Sequence, residues 1–146
     1  MGKLIKTQRA KVINNEKARI EYWEQQFKEE YEIGEITKEN QELLSNLVEG
    51  LKRGKMLDNG CGDGRLKYYF EVLGWEVYGT DISKNAILRA SKITPLNLVV
   101  TPAETLPFRD HFFDVVFSWR VFHSLCKKDR VKAVQECNRV LKKMDI

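Results

Sequence analysis

Cysteine and histidine are scarce in this chain of 146 residues, with three of the first and two of the second. Cys61, Cys126 and Cys137 form no Cys-x-x-Cys pair, and an odd number cannot all pair with one another. The count points to a reducing, cytoplasmic compartment rather than a disulfide scaffold. So few sulfur and imidazole ligands also speak against a metal site. Long apolar runs are missing too. The longest strictly aliphatic stretch is Leu98 to Val100, whereas a membrane span takes about 20 apolar residues. The opening stretch, MGKLIKTQRAKV, is charged every few positions and has no apolar core, so it does not read as a secretory signal. Internal repeats, low-complexity tracts and obvious linkers are absent as well.

What is present is an ordinary globular composition, 42% hydrophobic and 32% charged. Its length suits one domain with one modest core. The net charge of +4 is unevenly spread. Residues 1–19 carry six basic groups against one acid, residues 21–42 eight acids against two bases, and residues 127–146 seven bases against three acids. Solvated helix faces account for such blocks, with contact to a phosphate backbone as the competing reading.

Periodicity orders the chain. Ile20, Trp23, Phe27 and Tyr31 recur at spacings of three and four, which predicts a helix over 16–32. Thr37 is an N-cap for a second helix, with Leu43, Leu44, Leu47, Val48 and Leu51 apolar and an end at Arg53–Gly54. KMLD then reads as a strand, RLKYYFEVL as a helix, WEVYGTD as a strand and KNAILRASKI as a helix capped by Ser83. LNLVV is a third strand and FDVVFSW a fourth, separated by the proline-containing loop TPAETLPFRDHF. A closing helix, KKDRVKAVQECNRVLKKM, places Val131, Val134, Val140 and Leu141 inward. Strands alternating with helices specify an α/β fold around a parallel sheet.

Three glycines at positions 60, 62 and 64 stand where the first strand hands over to a helix. Ligands of open parallel sheets bind beyond the carboxyl ends of the strands. Glycine there permits a sharp turn and lets a ligand approach without a Cβ in the way. A dinucleotide fingerprint is weakened, because its third glycine would fall at position 65, which is arginine. A phosphate-binding Walker loop is excluded, since no Gly-Lys-Ser/Thr follows. An acid, Asp58, precedes the glycines.

MLDNGCGDGRL resembles the first motif of the class I S-adenosylmethionine-dependent methyltransferases. VYGTDIS is similar to their second-strand motif ending in an acid. TPAETLPFRDHFFDVVFSWRVFHSL is similar to their Ala-Glu-x-Leu-Pro-Phe loop, Phe-Asp-x-Val strand and following histidine, and NRVLKK to the segment before their next strand. The resemblance runs from residue 41 to 143, with its motifs in order.

The resemblance implies a Rossmann-like, three-layer fold and S-adenosylmethionine as cofactor. It places Asp58 at the methionine ammonium and the backbone of Gly60, Cys61 and Gly62 beneath methionine and ribose. Asp81, 17 positions after Gly64, would hold the ribose hydroxyls. Ile82 would wall the adenine ring, and Ala103 and Glu104 would border its edge. Ser118 and Trp119 would approach the methionine half. Cys61 is a small apolar loop residue rather than a nucleophile. Two departures stand out: Pro102 replaces an acid that accepts from the adenine amino group, and Asn59 replaces an aliphatic residue. Glu104 or a backbone carbonyl would then serve adenine. His123 is the one candidate for a catalytic base, with a packing histidine as the plainer reading. Tyr22 and Trp23 are core residues of the first helix or parts of a lid.

By the same resemblance, residues 1–36 form an N-terminal helical extension and residues 37–146 a cofactor-binding core without the family's last three strands. The fourth strand would then have an open apolar edge, covered by a second copy, another chain or a displaced segment. The expected function is methyl transfer to an unidentified acceptor, a small molecule in preference to RNA, with no membrane partner. The alternative is a noncatalytic module that binds the cofactor or a partner. A nicotinamide-dependent oxidoreductase is the third reading.

Overall fold

A computed structural model describes residues 12–13, 15–28 and 36–143. Four parallel strands form its centre: β1 (Lys55–Asn59), β2 (Glu76–Asp81), β3 (Leu98–Val100) and β4 (Val115–Phe117), in the order β3-β2-β1-β4. β1 holds the middle, with Leu57 opposite Tyr78 on one side and Val116 on the other. The order reverses beside β1, because β2 and β3 extend one way and β4 lies the other way.

Successive strand residues point to opposite faces, and both faces are covered, as a parallel sheet requires. Met56 and Val77 pack against Leu44 and Val48 of α2 (Lys38–Val48) and Leu66 and Phe70 of α3 (Arg65–Val72). Leu57 faces the other way, onto Leu106, Phe113 and Val140, the last from α5 (Lys127–Val140). Tyr78 meets Phe108, Phe112 and Phe113 edge-on in that second layer. α4 (Lys84–Ala90) connects β2 to β3.

Helix starts follow the expected chemistry. Thr37 accepts the Asn40 N–H at 3.2 Å and Ser83 the Ala86 N–H at 3.0 Å. Ends and faces differ in places. α1 runs Glu16–Lys28, and Tyr31 lies outside the described residues. Its buried stripe is Arg19 and Phe27, with Ile20 turned outward. α2 stops at Val48, and the left-handed glycine after it is Gly50 (φ 79°) rather than Gly54. Gly54 serves packing: a Cβ there would lie 2.2 Å from the Asp114 carboxylate, which accepts the Lys55 N–H. β4 is three residues long, shorter than its apolar sequence suggests.

α5 corrects the expectation for Val131 and Val134, both more than half exposed. Ala133, Cys137 and Val140 face the sheet instead, because Glu136 and Arg139 are pulled to one flank. Glu136 accepts the Leu106 N–H, and Arg139 donates to the Leu106 and Phe108 carbonyls. At 100° per residue this turns Val131 and Val134 to the opposite flank. α2 is turned in the same way. Gln41 and Ser45 meet Tyr69 of α3, Leu44 and Val48 face the sheet, and the exposed Leu43 and Leu47 turn away from α3. Among the described residues, β4 pairs with β1 alone. A groove lined by Val116, Phe117, Phe122, Val134 and Leu141 follows its other edge.

Candidate functional site

The chain leaves β1 through a tight turn. Gly60 and Cys61 both donate their N–H groups to the Thr80 carbonyl, at 2.8 and 2.7 Å. Gly60, Gly62 and Gly64 all have positive φ, which accounts for glycine at each. Steric room for a ligand does not account for all three. A Cβ on Gly60 would lie 2.2 Å from Val121 Cγ2, and one on Gly64 would meet Thr94 and Ala90 of the α4 region. Those two glycines therefore let parts of the same chain close in.

Two acids converge on this turn from the ends of β1 and β2. Asp58 is 1% exposed, and neither of its side-chain oxygens has a hydrogen-bond partner among the described residues. Burial, reinforced by the negative charges of Asp81 and Asp63, raises its pKa to about 8, against the pull of Lys67. Asp81 Oδ2 accepts the Gly62 N–H at 2.9 Å and Oδ1 accepts the Ser83 N–H at 2.9 Å. Burial raises its pKa to about 6; these backbone donors restrain the rise, and Glu24 of α1 adds to it. Cys61 is buried beside both acids. Desolvation first, then their charges, push its thiol well above the ordinary range, so it is a poor nucleophile.

The loop after β3 is held from two sides. Asn59, fully buried, donates from Nδ2 to the Ala103 carbonyl at 3.1 Å and accepts from Thr80 Oγ1 at 3.2 Å. This is what a polar residue does where the resemblance leads one to expect an aliphatic one. Arg19 grips the buried Glu104 carboxylate with both terminal nitrogens, Nη1 to Oε2 at 3.1 Å and Nη2 to Oε1. The N–H groups of Ala103 and Glu104, both in buried residues, have no protein acceptor among the described residues.

The remaining candidates are spread out. Ile82 is half-buried beside Asp81. Ser118 donates from Oγ to the Asn59 carbonyl at 2.8 Å, tying the end of β4 to the end of β1. His123 is exposed in a short 3-10 turn (Phe122–Ser124) and lines the groove beside β4, apart from the two buried acids.

Sequence reasoning missed Arg19, Lys67 and Val121. Arg19 stands four and eight residues before Trp23 and Phe27, in phase with the apolar stripe, and that was its only signal. Lys67 is completely buried and donates to Glu71 and to the Thr94 carbonyl. Nothing local marks a helical lysine as interior.

Residues 57–144 match a family described as methyltransferase domain. The chain is 37% identical over 100 residues to "Putative 23S rRNA (guanine-N(1)-)-methyltransferase YxjB" of Bacillus subtilis, covering 60% of this chain and 36% of that protein. It is 33% identical over 89 residues to the mitochondrial arginine-hydroxylase NDUFAF5 of Homo sapiens, covering 59% and 25%. The chain thus matches no more than about a third of either relative's length. Among solved structures, the YcgJ protein of Bacillus subtilis superposes with a TM-score of 0.65 at 27% identity, covering 73% of this chain and 47% of that one. The glycine turn, both strand-end acids and the loop after β3 all fall inside the matched region, and the chain belongs to the methyltransferase-domain family.

Proposed function

We propose that the chain binds S-adenosylmethionine and directs its methyl group to an acceptor. The observation that carries this is Asp58, a buried carboxyl group beside a glycine turn whose two oxygens have no partner among the described residues. Such a group is costly unless a cation with donors meets it. An α-ammonium does so. Asp81 keeps unused lone pairs after accepting two backbone N–H groups, and adjacent ribose hydroxyls suit them. The free N–H groups of Ala103 and Glu104 suit the ring nitrogens of adenine. One ligand carries all three complements.

The cofactor supplies, when bound, a methyl group already activated by its sulfonium. The protein's part is to hold, orient and exclude water. Asp58 and Asp81 fix the two ends of the amino-acid and ribose portion. Asn59 and Arg19 fix the loop that meets adenine. Glu104 is committed to Arg19, so of the two substitutes for the missing acid at position 102, a backbone carbonyl is the better supported. His123 is the proposed acceptor of a proton from the methyl acceptor, where one must be removed.

The acceptor is proposed to be a small molecule. The basic residues of α5 and the rRNA-modifying relative make RNA the competing class. Calorimetry with S-adenosylhomocysteine tests the cofactor reading, and absence of binding to the wild-type chain overturns it. Labelled methyl transfer to small-molecule and RNA panels tests the activity.

Among the described residues β4 has no further strand beside it, with Leu141 bridged only to Phe113 just before it, and this favours a second reading, a module that binds cofactor or partner without catalysis. Binding without transfer to any acceptor would support it. We propose that this edge pairs with a second copy of the chain. A two-fold axis normal to the sheet would set β4 antiparallel to its copy and join like layers, Leu43 and Leu47 on one face and Val131 and Val134 on the other.

A further inference from the structure

α1 crosses the ends of the strands from which ligands are reached. Just before it, the Ile13 N–H donates to the Ser124 carbonyl at 3.2 Å, in the segment after β4. Arg19 then reaches Glu104 after β3 and lies 3.8 Å from Asp129 in the first turn of α5. Farther along, the Glu24 side chain accepts the Asn85 N–H at 3.1 Å, and its carbonyl accepts from the Asn85 amide at 3.1 Å, at the start of α4 after β2. The Arg89 guanidinium sits 5.8 Å from the Phe27 ring centre. The helix is a roof tied down along its whole length.

Only one of these ties grips the loop proposed to meet adenine. Arg19 is 2% exposed, and its two-pronged contact fixes the plane of the Glu104 carboxylate as well as its charge. From the sheet side, Asn59 holds the Ala103 carbonyl. The peptide joining Ala103 to Glu104 is trans, since the described chain has no cis bond. Its N–H therefore points opposite to its C=O. With the carbonyl drawn to Asn59 and the next side chain drawn to Arg19, the direction of the unpartnered Glu104 N–H is set.

We propose that Arg19 is a positioning residue for the nucleoside end of the cofactor: through Glu104 it sets the Ala103–Glu104 peptide, and so couples docking of the roof helix to recognition of adenine. This rests on the cofactor reading above. It gives a buried arginine in an N-terminal helix a part in selecting the base, although it lies 85 residues away in sequence from the residue it holds.

The test compares S-adenosylhomocysteine with S-inosylhomocysteine, which alters only the base edge. Calorimetry and stopped-flow fluorescence are run on the full chain as wild type, Arg19→Lys, Arg19→Met and Asn15→Ala. The Asn15 side chain caps α1 by accepting the Ala18 N–H at 2.8 Å, while its backbone carbonyl, which accepts the Arg19 N–H at 3.1 Å, is kept in Asn15→Ala, so the substitution loosens the helix start and leaves the Arg19 fork in place. The wild type is expected to prefer the adenosyl ligand. Arg19→Lys keeps the charge without the fork and is expected to lose about 10-fold in that preference, the size of one lost charge-assisted hydrogen bond, with faster release. Arg19→Met, where it folds, is expected to lose at least as much, and Asn15→Ala, which keeps the fork, to weaken both ligands with a smaller loss of preference than Arg19→Lys. An unchanged preference in Arg19→Lys overturns the proposal, as does an equal loss of preference in Asn15→Ala. Failure of the wild type to bind either ligand overturns the cofactor reading itself, a distinct outcome.

Discussion

The Gly62 N–H donates to Asp81 Oδ2 at 2.9 Å, joining the turn after β1 to the end of β2. One carboxylate thus shapes the glycine turn and remains able to accept from a ligand. Asp81→Ala removes both roles. We expect S-adenosylhomocysteine binding to weaken by about 1–3 kcal/mol, the cost of leaving polar partners unpaired. Calorimetry reads this directly, and an unchanged affinity removes Asp81 from the site.

We expect Asp58 to make S-adenosylhomocysteine binding pH-dependent. Its pKa of about 8 leaves it largely protonated at pH 7 before a cation arrives. An ammonium ligand requires the ionised form, so affinity should rise from pH 6 towards 8 and fall again where the ligand's own ammonium loses its proton. Binding at pH 7 should release a proton, visible in calorimetry as a dependence on buffer ionisation enthalpy.

The same shift predicts a stability profile of opposite slope. Asp58 is raised from 3.8 when unfolded to about 8 when folded, so between those values the folded state holds the extra proton. Stability is fully present below the unfolded value and is lost as pH rises through the folded one. Asp58→Asn should flatten this decline in thermal melts of the ligand-free protein while abolishing S-adenosylhomocysteine binding.

Asn59→Leu should destabilise the fold by about 1–3 kcal/mol, because the Ala103 carbonyl and Thr80 hydroxyl lose a buried partner. Asn59→Asp should be worse, as it sets a carboxylate oxygen against a carbonyl. Urea denaturation checks both.

The β4 edge should associate. Sedimentation velocity of the wild-type chain should show a concentration-dependent dimer. Val134→Glu, at an exposed position outside the core, should shift it to monomer with little change in melting temperature. A wild type that stays monomeric at high concentration removes the proposed self-pairing.

Much of the architecture was legible because it rests on local chemistry. Thr37 and Ser83 cap helices through their own side chains, and alternation in β2 and the apolar run in β1 fixed two strands. Asp58, Asp81 and the three glycines were legible as a constellation because they surround one strand-to-helix turn. Faces were harder. Val131 and Val134 are as apolar as Val140 yet point outward, since Glu136 and Arg139 bind the 106–108 loop and turn the helix. The glycines show the same limit: positive φ at Gly60 is a turn property, but Val121 filling the space beside it depends on a loop 61 positions away.

By itself, then, the amino-acid order determined the succession of strands and helices, the glycine turn and the acids at the strand ends, because each follows from torsional preference and spacing within a few residues. Tertiary structure alone decided that Arg19 is interior, that Glu104 is spoken for, that Asn59 holds the loop after β3 and that Asp58 is left without a partner among the described residues. Those outcomes depend on which distant groups burial brings together, and the energy of a buried charge is set by its neighbours in space.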